Sequence, residues 1–186
     1  MELSHRDSSQ ILAQRVKSKI RDIPDFPQPG IIFKDITPVL KDGKLLGDIV
    51  REWGEFYRGK VDFIAGIESR GFIFGAPLAT YLGIGFVPIR KEGKLPAETC
   101  KVRYGLEYGC DVLEIHLDAF SDSPSKRVLV VDDLLATGGT ATAGVQLVEI
   151  AGGEVVGVQF LVELSFLPGG ECLKNAGIPY RALVSY

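Results

Sequence analysis

VLVVDDLLATGGT, residues 128–140, is the stretch from which the rest of the chain is read. It opens as an unbroken apolar run and ends in two acids, Asp132 and Asp133. A strand buried on both faces has that pattern, and such strands belong to parallel sheets. In open α/β sheets, ligands bind at the carboxyl ends of the strands, where these acids fall. A short loop follows, and Thr137, Gly138, Gly139 and Thr140 come just where a helix begins. The first N–H groups of a helix have no internal partner, and its dipole favours an anion there. The two glycines let backbone approach a ligand closely. Each charge-assisted hydrogen bond contributes about 1.5–3 kcal/mol, so several together hold a phosphate. Two carboxylates beside that phosphate suit a sugar diol, a metal held through it, or both. Singly, acids cap loops and glycines turn chains; the conjunction is far more specific. Other phosphate and nucleophile motifs fail. The nearest P-loop match, GIESRGF at 66–72, has Phe72 where Lys belongs. GxGxxG is absent, and GxSxG fails because Ile67 stands where the first glycine should be.

Outward from this stretch, helical and extended segments alternate. Residues 8–21 and 43–57 carry apolar stripes at helical spacing, with Ile11, Leu12, Val16 and Ile20 in the first and Leu45, Leu46, Ile49, Trp53 and Phe56 in the second. The prolines of IPDFPQPG, 23–30, end the first helix. VDFIAGI (61–67) and IGFVPI (84–89) read as strands, joined by a turn at 68–71 and a short helix to about Leu82. Residues 91–99 read as a charged loop. CKVRYGLEY (100–108) and DVLEI (111–115) form a hairpin or long flap, with Glu107 facing away from Val102, Tyr104, Leu106 and Tyr108. After strand 127–133 and loop 134–140 come a helix at 140–151 and strands at 154–164 and 180–186. This β-α-β order predicts an α/β fold with a mostly parallel central sheet flanked by helices.

Composition narrows the classes. At 186 residues, 20.2 kDa, 46% hydrophobic and 24% charged, the chain suits one globular domain. A net charge of −3 argues against coating nucleic acid. Cys100, Cys110 and Cys172 are odd in number and lack C-x-x-C spacing, and only His5 and His116 are present. A disulfide framework and a histidine metal cage are therefore not expected, and a reducing compartment is. MELSHRDSSQ has no apolar core for a signal peptide. Gly71–Ile89 carries no charge, but its glycines and prolines break it into short elements rather than a membrane span.

VVDDLLATGGT resembles the phosphoribosyl-pyrophosphate (PRPP) signature of the type I phosphoribosyltransferases. FPQPGIIFKDITPVL (26–40), AGIESRGFIFG (65–75), VPIRKEGKLP (87–96) and GLEYG (105–109) narrow the resemblance to the branch that acts on adenine. It runs from about residue 11 to the C-terminus. It implies a single-domain fold over 1–186 with a small N-terminal hood, roughly 1–40, and a flexible flap, roughly 91–115. The implied reaction joins adenine to PRPP, giving AMP and pyrophosphate, with Mg2+ as cofactor, in a cytoplasmic homodimer of purine salvage. No nucleic acid or membrane partner is implied.

The resemblance also implies roles. Asp132 and Asp133 hold the ribose hydroxyls, and the 5′-phosphate sits on Ala136, Thr137, Gly138, Gly139 and Thr140. Ser69 and Arg70 belong to the pyrophosphate loop, which in such enzymes can hold a non-proline cis peptide. Arg90, Lys91 and Lys94 add charge; residues 90–103 hold five basic residues against two acidic, an excess that suits a polyanion. Phe33 stacks on the purine, Leu134 packs on its other side, and backbone groups of Ile32 and Lys34 read its edge. No protein residue binds Mg2+ directly; the ion is held through PRPP near Asp132 and Asp133. Arg70 is catalytic in offsetting the departing charge. Related hypoxanthine-guanine enzymes carry an aspartate where this chain has Ala136. That leaves Glu107 as the catalytic carboxylate, with Tyr108 of the flap near the reacting oxygens. Two other readings are a xanthine-preferring enzyme and a PRPP-sensing regulator. IIFKDI and LEYG argue against the first, and the lack of a basic recognition helix argues against the second.

Overall fold

The computed structural model describes residues 5–105 and 110–186. The chain divides into two compact units, residues 1–55 and 56–186. The first holds α1 (His5–Lys19), β1 (Arg21–Pro24), β2 (Ile32–Asp35), α2 (Thr37–Lys41) and most of α3 (Gly43–Tyr57). Leu12 and Val16 of α1 and Leu45, Ile49 and Trp53 of α3 are buried, whereas Ile11, expected on the same face as Leu12, is exposed. Arg15–Asp48 (2.9 Å) and Lys19–Asp42 (3.4 Å) tie α1 to α3 and its approach.

Four elements escape the sequence reading: β1, β2, α2 and α6. β1 begins at Arg21, the last residue expected in the first helix, because Arg21 turns to Asp35 (Nη2–Oδ2 2.5 Å) as β1 pairs antiparallel with β2. Pro24 is tolerated at the end of an exposed edge strand, where its missing N–H costs nothing. α2, at five residues, is too short to show a period, and Pro38 opens it. α6 (Gly169–Asn175) begins on two glycines, which propensity alone would set in a loop.

The second unit is built on a seven-stranded sheet. Its strands are β3 (Phe63–Ile67), β4 (Gly85–Lys91), β5 (Thr99–Gly105), β6 (Cys110–His116), β7 (Arg127–Leu135), β8 (Glu154–Glu163) and β9 (Tyr180–Ser185). Their order is β5-β6-β4-β3-β7-β8-β9. The five from β4 to β9 run parallel, and β6 and β5 add an antiparallel hairpin at one edge. Successive strand residues point to opposite faces. Ala65, Ile67 and Ile89 meet α5 (Gly139–Ile150) on one face, while Ile64 and Phe86 lie against Gly75 of α4 (Arg70–Leu82) on the other. Val128 to Val131 are wholly buried between these layers, as their apolar run predicts. The β7 strand runs two residues past its expected end, to Leu135, so Asp132 and Asp133 are still in strand geometry.

Candidate active site

The carboxyl ends of β3 and β7 lie side by side at the centre of the sheet, with Gly66 paired to Val131. From β3 the chain passes through a cis Glu68–Ser69 peptide into α4, which starts at Arg70. Arg70 Nε donates to Asp133 Oδ2 at 2.6 Å. Gly71 is required for this approach: a Cβ there would stand 2.5 Å from the Val131 carbonyl oxygen. From β7 the chain turns through Ala136 to Gly138, whose φ of +89° suits glycine, and then into α5. The Ala136 carbonyl is fixed by the Gly169 N–H (2.9 Å).

These pieces form two cavities. One, of about 200 Å³, is lined by Arg70, Asp132, Asp133, Leu134, Ala136, Thr137, Gly138 and Thr140, among others. Another, of about 310 Å³, brings Ser69, Arg70 and Lys91 to the same two aspartates, with Glu68. A basic residue, paired carboxylates and a glycine loop at a helix start thus share one end of the sheet. A larger cavity of about 510 Å³ lies in the first unit between α1 and α3, but its charges are spent on one another, as in Arg15–Asp48 and Arg51–Asp48. It has none of the anion-binding backbone.

The two aspartates differ. Asp133 is 5% exposed and ion-paired to Arg70. Asp132 accepts the Asp133 N–H (2.8 Å). Burial, and then the like charge of Asp133, push the Asp132 carboxyl well above its ordinary range. Asp133 is thus paired with arginine, while burial disfavours the charged form of its neighbour.

The basic side of the site is ordered by three acids, Glu68, Asp111 and Glu114, of which the sequence reading did not single out Asp111 and Glu114. Arg90 Nε and Nη2 donate to the two oxygens of Glu68 (3.2 and 3.3 Å), and the Lys91 N–H donates to Glu68 Oε2 (3.0 Å). Burial works to raise the Glu68 carboxyl, but Arg90 and the Lys91 N–H outweigh it and leave it below the usual range. Lys91 Nζ pairs with Asp111 at 3.0 Å, which raises the lysine and lowers the aspartate. Lys94 does not line either cavity through its exposed side chain; its N–H is bound by Glu114. The faint signal for Glu114 is a carboxylate set among the apolar residues Val112, Leu113 and Ile115.

In the first unit, Ile32, Phe33 and Lys34 lie in β2. Ile32 is exposed, Phe33 is half-buried with its ring edge-on to Phe26 (centroids 5.1 Å apart), and Lys34 pairs with Asp22 at 2.7 Å. Glu107 and Tyr108 lie outside the described residues. Among the described residues, no helix is long and apolar enough to cross a membrane.

Comparison with known proteins bears on the site. Residues 38–165 match the model of the phosphoribosyl transferase domain. The chain is 58% identical over 161 residues to an adenine phosphoribosyltransferase of Sulfurimonas denitrificans, covering 86% of this chain and 88% of that one. A crystal structure of adenine phosphoribosyltransferase from Thermoanaerobacter pseudethanolicus superposes with a TM-score of 0.84 at 51% identity, covering 94% of this chain and 99% of that one. The enzyme of Saccharomyces cerevisiae, complexed with an imino-altritol bisphosphate and adenine, superposes with a TM-score of 0.85 at 38% identity, covering 94% and 99%. The fold expected from the resemblance is the fold these structures share.

Proposed function

The chain belongs to the phosphoribosyltransferase family and within it to the adenine phosphoribosyltransferases, and from that premise we propose how its own residues transfer the 5-phosphoribosyl group of PRPP to N9 of adenine, giving AMP and pyrophosphate. The observation that carries the assignment of residues is the meeting of Arg70, Asp132 and Asp133 with the Ala136–Thr140 loop in one cavity. The 5′-phosphate is assigned to the N–H groups and hydroxyls of Thr137, Gly138, Gly139 and Thr140, at the start of α5. Asp132 and Asp133 are assigned to the ribose hydroxyls. Ser69, Arg70, Arg90, Lys91 and Lys94 are assigned to the pyrophosphate. Adenine is assigned to Phe33 by stacking, to Leu134 by apolar contact, and to the backbone of Ile32 and Lys34 by hydrogen bonds.

As the C1′–O bond to pyrophosphate breaks, the ribose gains oxocarbenium character and N9 bonds to C1′. Arg70 and the neighbouring cations offset the charge that leaves. Glu107 takes the purine's proton from N7, so base and leaving group are both balanced. The residues present fit Mg2+: no cluster of three or more potential ligands occurs among the described residues, and a hard cation commonly rests on one or two carboxylates plus substrate phosphate oxygens. PRPP would hold it, beside Asp132 and Asp133, where it would supply positive charge. A cytoplasmic setting agrees with three free cysteines. A homodimer is supported by α4, which after Arg70 carries no charge and leaves Ile73 and Tyr81 each 37% exposed. Sedimentation should give about twice 20.2 kDa; the monomer mass at micromolar concentration would remove the dimer.

The activity is tested by offering PRPP and Mg2+ with adenine, hypoxanthine, guanine or xanthine. AMP from adenine alone is expected, and chelation of Mg2+ should abolish it. Nucleotide from another base would overturn the assignment of Ile32, Phe33 and Lys34. PRPP binding without any nucleotide would favour a sensor.

A further inference from the structure

Glu114 is 2% exposed, yet it touches neither cavity of the site. A carboxylate so deep in a sheet costs several kcal/mol in lost hydration unless hydrogen bonds replace the water. Here they do, and nearly all come from one loop. Glu114 Oε1 accepts the N–H groups of Lys94 (2.9 Å) and Leu95 (3.0 Å), the Gly93 N–H adds to them, and Thr99 Oγ1 donates to Oε2 at 3.4 Å. Burial works to raise this carboxyl and the three loop N–H groups prevail, so it is held below the usual range.

The loop so held reaches the site through its own carbonyl. Arg90 lies opposite Glu114 in the β4–β6 register. Its Nη1 donates to the Lys94 carbonyl oxygen at 3.2 Å, while Nε and Nη2 are taken by Glu68. The Arg90 guanidinium is therefore clamped between a carboxylate next to the cis peptide and a carbonyl whose place is set by Glu114. Gly93 turns the chain at φ +79°, and residues 91–94 and 96–98 are exposed, so few apolar contacts are there to order the loop. The buried carboxylate supplies what packing does not.

We propose that Glu114 is a positioning residue, which sets the Gly93–Leu95 turn and thereby aims the Arg90 and Lys94 cations at the pyrophosphate of PRPP. The proposal rests on the assignment of these cations to pyrophosphate. It makes Glu114 a determinant of PRPP affinity without contact to PRPP.

The test compares Glu114→Gln with Glu114→Asp. Glutamine keeps a carbonyl oxygen at the same reach for both N–H groups. Aspartate keeps the charge but withdraws it by one methylene. Glutamine should leave KM for PRPP within about twofold of the parent, and aspartate should raise it about tenfold, with KM for adenine within twofold in both. Leu95→Pro deletes one of the loop donors and no charge, and carries the expectation of aspartate should that variant not fold. A folded Glu114→Asp protein with unchanged KM for PRPP, a lowered melting temperature alone, or equal rises in both KM values would overturn the proposal. Failure of the underlying assignment looks different: Arg90→Ala and Lys94→Ala would then leave KM for PRPP unchanged while the parent still turns over.

Discussion

Replacing Asp132 and Asp133 together by asparagine is expected to raise the PRPP dissociation constant by about 10²- to 10⁴-fold. Each carboxylate that receives a ribose hydroxyl contributes about 1.5–3 kcal/mol, and two such bonds sum to about 3–6 kcal/mol. Asparagine has nearly the same shape, so the strand end should stay intact. At 132 it still offers an oxygen to the Asp133 N–H, which Asp132 now binds at 2.8 Å. At 133 it removes the anion that orders Arg70 through the 2.6 Å contact. The loss therefore reaches the pyrophosphate side as well as the diol. Calorimetry with PRPP and Mg2+ measures it, and circular dichroism checks that the sheet persists. An unchanged dissociation constant in a folded double variant would refute the diol assignment. The single changes should differ: Asp133→Asn strips Arg70 of its partner, whereas Asp132→Asn replaces a carboxyl that burial already drives toward its neutral form. The second should be the milder unless the bound ligand restores the Asp132 charge.

Why these two aspartates were legible, and Glu114 was not, is a matter of range along the chain. Val128–Asp133 declares itself within six residues, because full burial on both faces demands an unbroken apolar run and two acids cannot extend that run into the core. The anion loop is local too: a glycine at φ +89° and the start of α5 are neighbours in sequence. α3 showed its stripe because fifteen residues give four turns. α2 and α6 are too short to have a period, and β1 is known only through its pairing with β2. Pairing across the sheet left no local trace at all. Arg90 meets Glu68 from twenty-two positions away, and Lys94 meets Glu114 from twenty. Nothing in the spacing of RKEGK told which acids would answer its charges. Lys91 was expected in a loop and closes β4 instead, where Asp111 of β6 answers it. The local motifs thus mark the groups that gather at the two cavities, while the acids that hold the neighbouring cations in place arrive by pairing across the sheet.

Glu107→Ala is expected to lower kcat by about 10²- to 10⁴-fold, the usual range for loss of a general acid–base group, with little change in PRPP affinity. Elimination of the other acids supports this role, and so does the anchorage of the β5–β6 hairpin. The phosphate loop offers no carboxylate, because Ala136 occupies the position at which related enzymes carry one. Asp132 and Asp133 are assigned to the sugar, and Asp133 is paired with Arg70. Glu68 and Glu114 are spent on Arg90 and on the Gly93–Leu95 turn. Among the described residues, that leaves no uncommitted acid lining either cavity. Glu107 follows Gly105 by two positions, and Gly105 closes the β5–β6 ladder opposite Cys110. That ladder is moored to the site: Tyr104 hydrogen-bonds Thr140 of the phosphate loop and Asp111, which in turn holds Lys91. The pH profile separates a proton-moving role from a structural one. A carboxylate base raised by desolvation gives kcat an acidic limb above the ordinary glutamate range, and Glu107→Ala should remove that limb as well as the rate. Glu107→Gln keeps the shape and one oxygen, so it should bind adenine yet turn over as slowly as the alanine variant. Near-normal kcat in either, or an acidic limb that persists unchanged, would take Glu107 out of the role and leave the proton to solvent.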